Sequence, residues 1–358
     1  MTEKPVHFLF AISSHGYGHL SQVSPVINRL MQVYPDALLF IQTTLAQDII
    51  AARIKHSFHY IHFEGDVGLI MNGAIKVRVQ ETRIAYQQFH DRWNEKFDQQ
   101  TDILKQNAID ILIADIPYLP LLAAQSLNIK TIAICSLNWV DILSGYFQHD
   151  KIIEGYLDIM RSAYQQADIF LKPQPSMPMQ WLVNSQTIQP LVNAGTESRS
   201  KLLLELSIPE DKKIILFALG GISTSISLKA WPVYKKFHFL VQDGYDSSAD
   251  WVHNIKQLSL SISDIIQSVD LIITKPGYGI FVEAAFSGTP VLYVERGDWP
   301  EEIYLLKWLN KYLPVRKISP EDLLNGIEEP ILEELLLSAN KTIELSDGIE
   351  QAVNYITL

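Results

Sequence analysis

Between Asp270 and Glu302 the chain reads DLIITKPGYGIFVEAAFSGTPVLYVERGDWPEE, and that order of signals admits few folds. Leu271 to Ile273 is a short β-branched run. Pro276, Gly277 and Gly279 interrupt it before a helical period turns Phe281, Val282, Ala285 and Phe286 inward, and a second apolar run follows from Val291. Strand, glycine turn, helix and strand is the repeating unit of a parallel α/β sheet. Where a glycine turn meets a helix N-terminus, free backbone N–H groups and the positive end of the dipole favour an anion by about 0.3 to 2 kcal/mol. Glu283 lies one turn inside, where a carboxylate suits a vicinal diol such as a ribose. An ordinary βαβ unit with a solvated glutamate fits the same residues equally well.

The same pattern opens the chain. Val6 to Ile12 reads as a buried strand that runs into His15, Gly16, Gly18 and His19, and an amphipathic helix follows. Ser21 stands where a dinucleotide fingerprint has its third glycine, and no acid closes the next strand, ALLFIQTT. A nicotinamide or flavin site is therefore not expected here. Glycines between His15 and His19 break the helix that would align the two rings as metal ligands, so no metal site is expected. His56, His59 and His62 recur every three residues, which suits an edge or surface placement better than a metal loop. Lys76 to Gln106 reads as a mostly helical insertion.

Next comes IDILIADIPYLPLLAAQSLNIKTIAICSL, a further strand, helix and strand, with Asp115 at the carboxyl end of the first strand. That edge of an open parallel sheet is where ligands bind. Taken alone, Asp115 also fits capping of the helix that starts near Pro117, a common use of Asp ahead of Pro. Four prolines and no period between Lys172 and Gly195 mark a boundary. The second half restarts with KKIILFALGGIST, where Gly220, Gly221, Ser223 and Thr224 offer backbone amides and hydroxyls to a phosphate.

Length suggests roughly two domains. We expect residues 1–172 and 201–345 to form Rossmann-like, doubly wound α/β domains facing a cleft, joined by a linker over 173–200 and followed by a C-terminal helix over 346–358. At 47% hydrophobic the chain can bury both cores. The net charge of −11 argues against nucleic acid or an anionic membrane as the main partner. A single cysteine, Cys135, permits no intrachain disulfide, and no run of about 18 apolar residues occurs, so a cytoplasmic protein without a transmembrane segment is expected.

HGYGH, LIADIPYLP and ITKPGYGIFVEAAFSGTPVLYVERGDWPEE, in that order, resemble the two-domain glycosyltransferases of the GT-B fold over most of the chain. The resemblance implies His19 as the base acting on the acceptor, beside the acceptor-side loop of His15, Gly16 and Gly18, and Asp115 as the residue that orients His19. It also implies Gly277, Tyr278 and Gly279 near the phosphates of a nucleoside diphosphate sugar, Glu283 at the ribose, and Asp298, Glu301 and Glu302 toward the donor sugar. A narrower likeness is to the glycosyltransferase-like amino-terminal half of plant L-arabinokinases. It is carried by HGYGH, SLNWVDILSGY, QADIFLKPQPSMPM, the 275–302 segment and DGIEQAV, with no galactokinase-type half present. The implied activity is inverting, metal-independent transfer from a UDP-sugar to an acceptor hydroxyl, without a cofactor. A sugar-nucleotide-binding protein without transfer, and a sugar-nucleotide 2-epimerase, are the alternatives. No Asp-x-Asp pair of the kind that holds a metal on the diphosphate occurs.

Overall fold

The computed structural model describes residues 4–73, 76–219, 228, 231–243, 245, 248–338 and 348–357. The chain divides into two compact units. Unit 1 comprises Met1–Met71, Val77–Leu191 and Ser346–Leu358, and unit 2 comprises Asn72–Lys76 and Val192–Leu345.

Seven strands build the sheet of unit 1: β1 (His7–Ile12), β2 (Leu38–Thr43), β3 (His59–His62), β4 (Ile111–Asp115), β5 (Lys130–Ile134), β6 (Ile169–Pro173) and β7 (Ser185–Ile188). They lie in the order β3-β2-β1-β4-β5-β6-β7, and every pair is parallel. His59 and His62 fall on the edge strand, as their spacing suggests. Six strands build the sheet of unit 2: β8 (Lys213–Ala218), β9 (Phe237–Val241), β10 (Val252–Asn254), β11 (Leu271–Thr274), β12 (Val291–Val294) and β13 (Val315–Ile318). Their order, β10-β9-β8-β11-β12-β13, is again parallel throughout. Each sheet therefore reverses direction once, between β1 and β4 and between β8 and β11. A doubly wound sheet binds ligands at that switch point, beyond the carboxyl ends of the strands.

The central strands carry apolar residues on both faces because helices cover both sides. In unit 1, Phe8, Phe10 and Ile12 pack with Leu20, Val23 and Ile27 of α1 (Gly18–Val33). Helices around the two sheets include α2 (Val79–Asp91), α3 (Tyr118–Ser126), α4 (Trp139–Tyr146), α5 (Lys151–Gln166), α6 (Tyr278–Ser287), α7 (Glu302–Leu309) and α8 (Ile349–Thr357). Ala352, Val353 and Ile356 of α8 join the core around α1, so the last helix of the chain belongs to the first unit. Residues 185–188, inside the stretch read as linker, are β7 of the same unit. Val315 to Ile318 is the edge strand β13. Among the described residues, no helix is long and apolar enough to cross a membrane.

Candidate active site

At the switch point of unit 1, Ile12 and Asp115 are register partners, and the Ser13 N–H donates to the Asp115 carbonyl oxygen at 2.8 Å. The turn after β1 needs Gly16, whose φ of +75° lies in the left-handed region that other residues avoid. It delivers His19 to the first turn of α1, and β4 delivers Asp115 from 96 residues away. Their side chains meet with Nδ1 of His19 2.9 Å from Oδ1 of Asp115, both buried. Pro117, and no side chain, stands at the N-cap of α3, so the Asp115 carboxylate is not spent on capping. Burial pushes the Asp115 carboxyl up, while His19 and a hydrogen bond from Cys135 pull it back.

The Cys135 Sγ lies 3.8 Å from His19 Nδ1, and one ligand atom from each of His19, Asp115 and Cys135 falls within 4.8 Å of the others. These three could hold a metal, but the same geometry already satisfies a histidine held by a carboxylate. A histidine donating Nδ1–H to Asp115 keeps its basic lone pair on Nε2, the arrangement in which a carboxylate fixes the tautomer and stabilises the imidazolium.

His15 takes a different part. Its Nδ1 accepts the Leu69 N–H at 3.2 Å, and its ring stands edge-on to Trp139 at 5.4 Å. Gly18 is exposed at the start of α1. The ring of His90 lies 3.9 Å from that of Tyr156 in a near-parallel stack, and burial pulls the imidazole down to about 4, which makes it a neutral core group at physiological pH.

In unit 2, Thr274 at the end of β11 is the register partner of Ala218 at the end of β8, and its hydroxyl donates to the Ala218 carbonyl at 2.6 Å. Gly220, Gly221, Ser223 and Thr224, which follow β8 in sequence, lie outside the described residues. The segment that follows β11 is described. Gly277 is the N-cap of α6, with no side-chain hydrogen bond to the cap and no acid in the first turn. Tyr278 and Glu283 are buried on α6, Gly279 is half-buried, and Gly288, at a φ of +70°, ends the helix in a left-handed turn.

Two basic residues that sequence reasoning passed over stand at this edge. Lys275 directly follows β11 and Arg296 follows β12; burial first, then the Arg296 charge, pull the Lys275 amine down to about 7. Arg296 stacks its guanidinium over the Trp299 ring at 3.7 Å. A lysine at the mouth of a glycine turn was the readable signal. Of the acids placed toward the donor sugar, Asp298 is exposed. Glu301 accepts the Trp299 indole N–H at 3.1 Å, and Glu302 accepts the Arg296 N–H at 2.8 Å. Both buried glutamates thus brace the 295–301 loop, and burial pushes the Glu302 carboxyl up.

Two switch points on two parallel doubly wound sheets define the class: the chain has the GT-B fold of two-domain glycosyltransferases. It is similar to CalG4, the calicheamicin glycosyltransferase (12% identity, TM-score 0.63, covering 99% of this chain and 93% of that one). It is likewise similar to UGT89C1 of Arabidopsis thaliana, solved with UDP (15% identity, TM-score 0.58, covering 99% and 100%). In sequence it is 22% identical over 349 residues to the L-arabinokinase of Arabidopsis thaliana. That match covers 93% of this chain but 32% of the relative, so the chain spans about a third of that protein's length. No protein-family profile matches the chain.

Proposed function

We propose that the protein is an inverting glycosyltransferase that moves a sugar from a UDP-sugar to an acceptor hydroxyl. The observation that carries this reading is the buried His19–Asp115 pair, 2.9 Å apart at the switch point of unit 1. In the reaction, His19 Nε2 takes the acceptor proton as the acceptor oxygen bonds to the anomeric carbon. The bond from that carbon to the diphosphate oxygen breaks, and UDP leaves with the electron pair. A base so placed contributes about 10² to 10⁴ in rate. Asp115 holds the ring and offsets the imidazolium charge.

The donor end of the reading rests on unit 2. The uncapped N-terminus of α6, with Lys275 and Arg296 beside it, suits a diphosphate that gains negative charge as it leaves. On this reading those cations supply the charge stabilisation, and no metal takes part. Glu283 is assigned to the ribose.

Thermal-shift screening with uridine, guanosine and thymidine diphosphate sugars identifies the donor, and turnover is then compared in His19→Ala. The variant should lose transfer while binding the donor within about twofold of wild type. Transfer at the wild-type rate would refute His19 as the base. A second reading is a sugar-nucleotide-binding protein without transfer, suggested by the likeness to a relative whose name is that of a kinase. It predicts donor binding with no turnover in the wild type.

A further inference from the structure

Asp66 follows β3 in the segment FEGDVGLI, is 4% exposed, and accepts the Trp139 indole N–H at 2.6 Å and a hydrogen bond from Ser13. Trp139 in turn is fully buried, 5.4 Å from the His15 ring and 5.8 Å from the His19 ring. The loop carrying Asp66 is pinned on both sides. A Cβ on Gly65 would come within 2.8 Å of the Pro120 Cγ, and one on Gly68, already at a positive φ, within 2.8 Å of the His15 Cβ.

The groups facing Asp66 come from every side. Tyr86 of α2, Tyr118 of α3 and Tyr164 of α5 are fully buried hydroxyls that its charge reaches. Glu64 of its own loop is a like charge, and His19 of α1 is the basic group acting on it. Burial pushes this carboxyl up to about 6, with the hydrogen bonds from Trp139 and Ser13 and the His19 charge pulling the other way. A core built for stability would place an amide or an apolar side chain here, because an acid buried without a full cationic partner is costly.

We propose that Asp66 is a positioning residue for His19: its carboxylate fixes the Trp139 indole against the imidazole, and its charge favours the imidazolium that forms when His19 takes a proton. The proposal rests on the assignment of His19 as base. Asp115 then acts on Nδ1 by direct contact, while Asp66 acts through the indole and through space. Between them the two acids set both the orientation and the proton affinity of one ring.

The test is an NMR titration of the His19 ring, assigned by the signals that vanish in His19→Gln. Asp66→Asn keeps an acceptor for Trp139 but removes the charge, and should lower the His19 midpoint by about 0.5 to 1 unit. Ser13→Ala, which removes one donor to the carboxylate, should move it the same way by less and keeps the question open to test if Asp66→Asn fails to fold. Trp139→Phe, which removes the larger of the two donors to the carboxylate, should lower the midpoint by more than Ser13→Ala does and cut kcat by about tenfold or more, with KM for the donor unchanged. In turnover, Asp66→Asn should carry the acid limb of the kcat profile to lower pH by the amount that the midpoint moves, and Asp66→Glu should restore part of it. A folded Asp66→Asn, or Ser13→Ala in its place, whose His19 midpoint equals that of wild type would overturn the proposal. A wild type that transfers no sugar would instead sink the transferase reading and leave the titration result standing.

Discussion

Replacing Asp66 by Asn should stabilise unit 1 at neutral pH and not at acid pH, and the size of the effect follows from the burial of one carboxyl. Its folded-state value is raised from 3.8 to about 6. An acid whose folded value lies above its unfolded value binds protons more tightly when folded. The contribution of this group to stability is therefore greatest below pH 4 and is lost as the pH rises through the window from 4 to 6. About two units at 1.36 kcal/mol each make the penalty about 3 kcal/mol above pH 7. The introduced amide still accepts from Trp139, but its N–H₂ must recruit the Ser13 hydroxyl, and an imperfect exchange costs about 1 kcal/mol. The net gain expected at pH 8 is about 2 kcal/mol, turning into a loss of about 1 kcal/mol near pH 4. Because the chain has two compact units, a single global transition would mix their stabilities. Hydrogen exchange of the β4 and β5 amides reads unit 1 by itself. A difference between variant and wild type that stays the same from pH 4 to pH 8 would refute the reasoning, since only the ionised carboxylate carries the penalty.

Further outcomes can be checked alongside it. Asp115→Asn should lower kcat by about 10²- to 10⁴-fold with donor affinity little changed, because the amide cannot hold the same tautomer of His19; turnover near wild type would reduce Asp115 to a packing residue. With the Lys275 amine pulled down to about 7, UDP should bind more weakly as the pH rises from 6 to 8.5 and take up protons on binding at pH 8. Calorimetry in buffers of different ionisation enthalpy reads that uptake, and Lys275→Met should abolish it. Glu283→Ala should weaken UDP-sugar binding by about tenfold, and unchanged affinity would remove the ribose role. Gly348→Ala should destabilise unit 1 by about 2 kcal/mol or more, because the added Cβ would collide with the Gln189 carbonyl oxygen; a denaturation midpoint equal to wild type would contradict this.

The strands that sequence made legible are the central ones. β1, β4, β8 and β11 are apolar on both faces, so their runs stand out without a period. β7 and β13 did not, since each has four residues on a sheet edge with polar side chains among them, and β7 sits amid prolines. The meeting of His19 with Asp115 could be suspected from motif order, but the choice between contact with His19 and helix capping needed the strand register and the N-cap at Pro117. Asp66 was hidden for a different reason. A single acid in a loop shows no pattern, and its burial is imposed by Trp139, which lies 73 residues further on. Lys275 was visible beside the glycine turn, but its lowered proton affinity is a property of the packed edge and of Arg296.

The return of α8 to unit 1 has a consequence for how the polypeptide matures. Residues 349–357 close the core around α1, and Arg29 of that helix pairs with Glu350 at 2.6 Å. During synthesis the first seven-stranded sheet can assemble early, yet its covering layer stays open until nearly all of unit 2 has left the ribosome. The side of that core which Ala352, Val353 and Ile356 cover lacks its cover for that interval, the period in which unfinished domains are most prone to associate. A chain stalled or cut before residue 349 would leave α1 without this cover, so completion of the first unit waits on a segment made after unit 2.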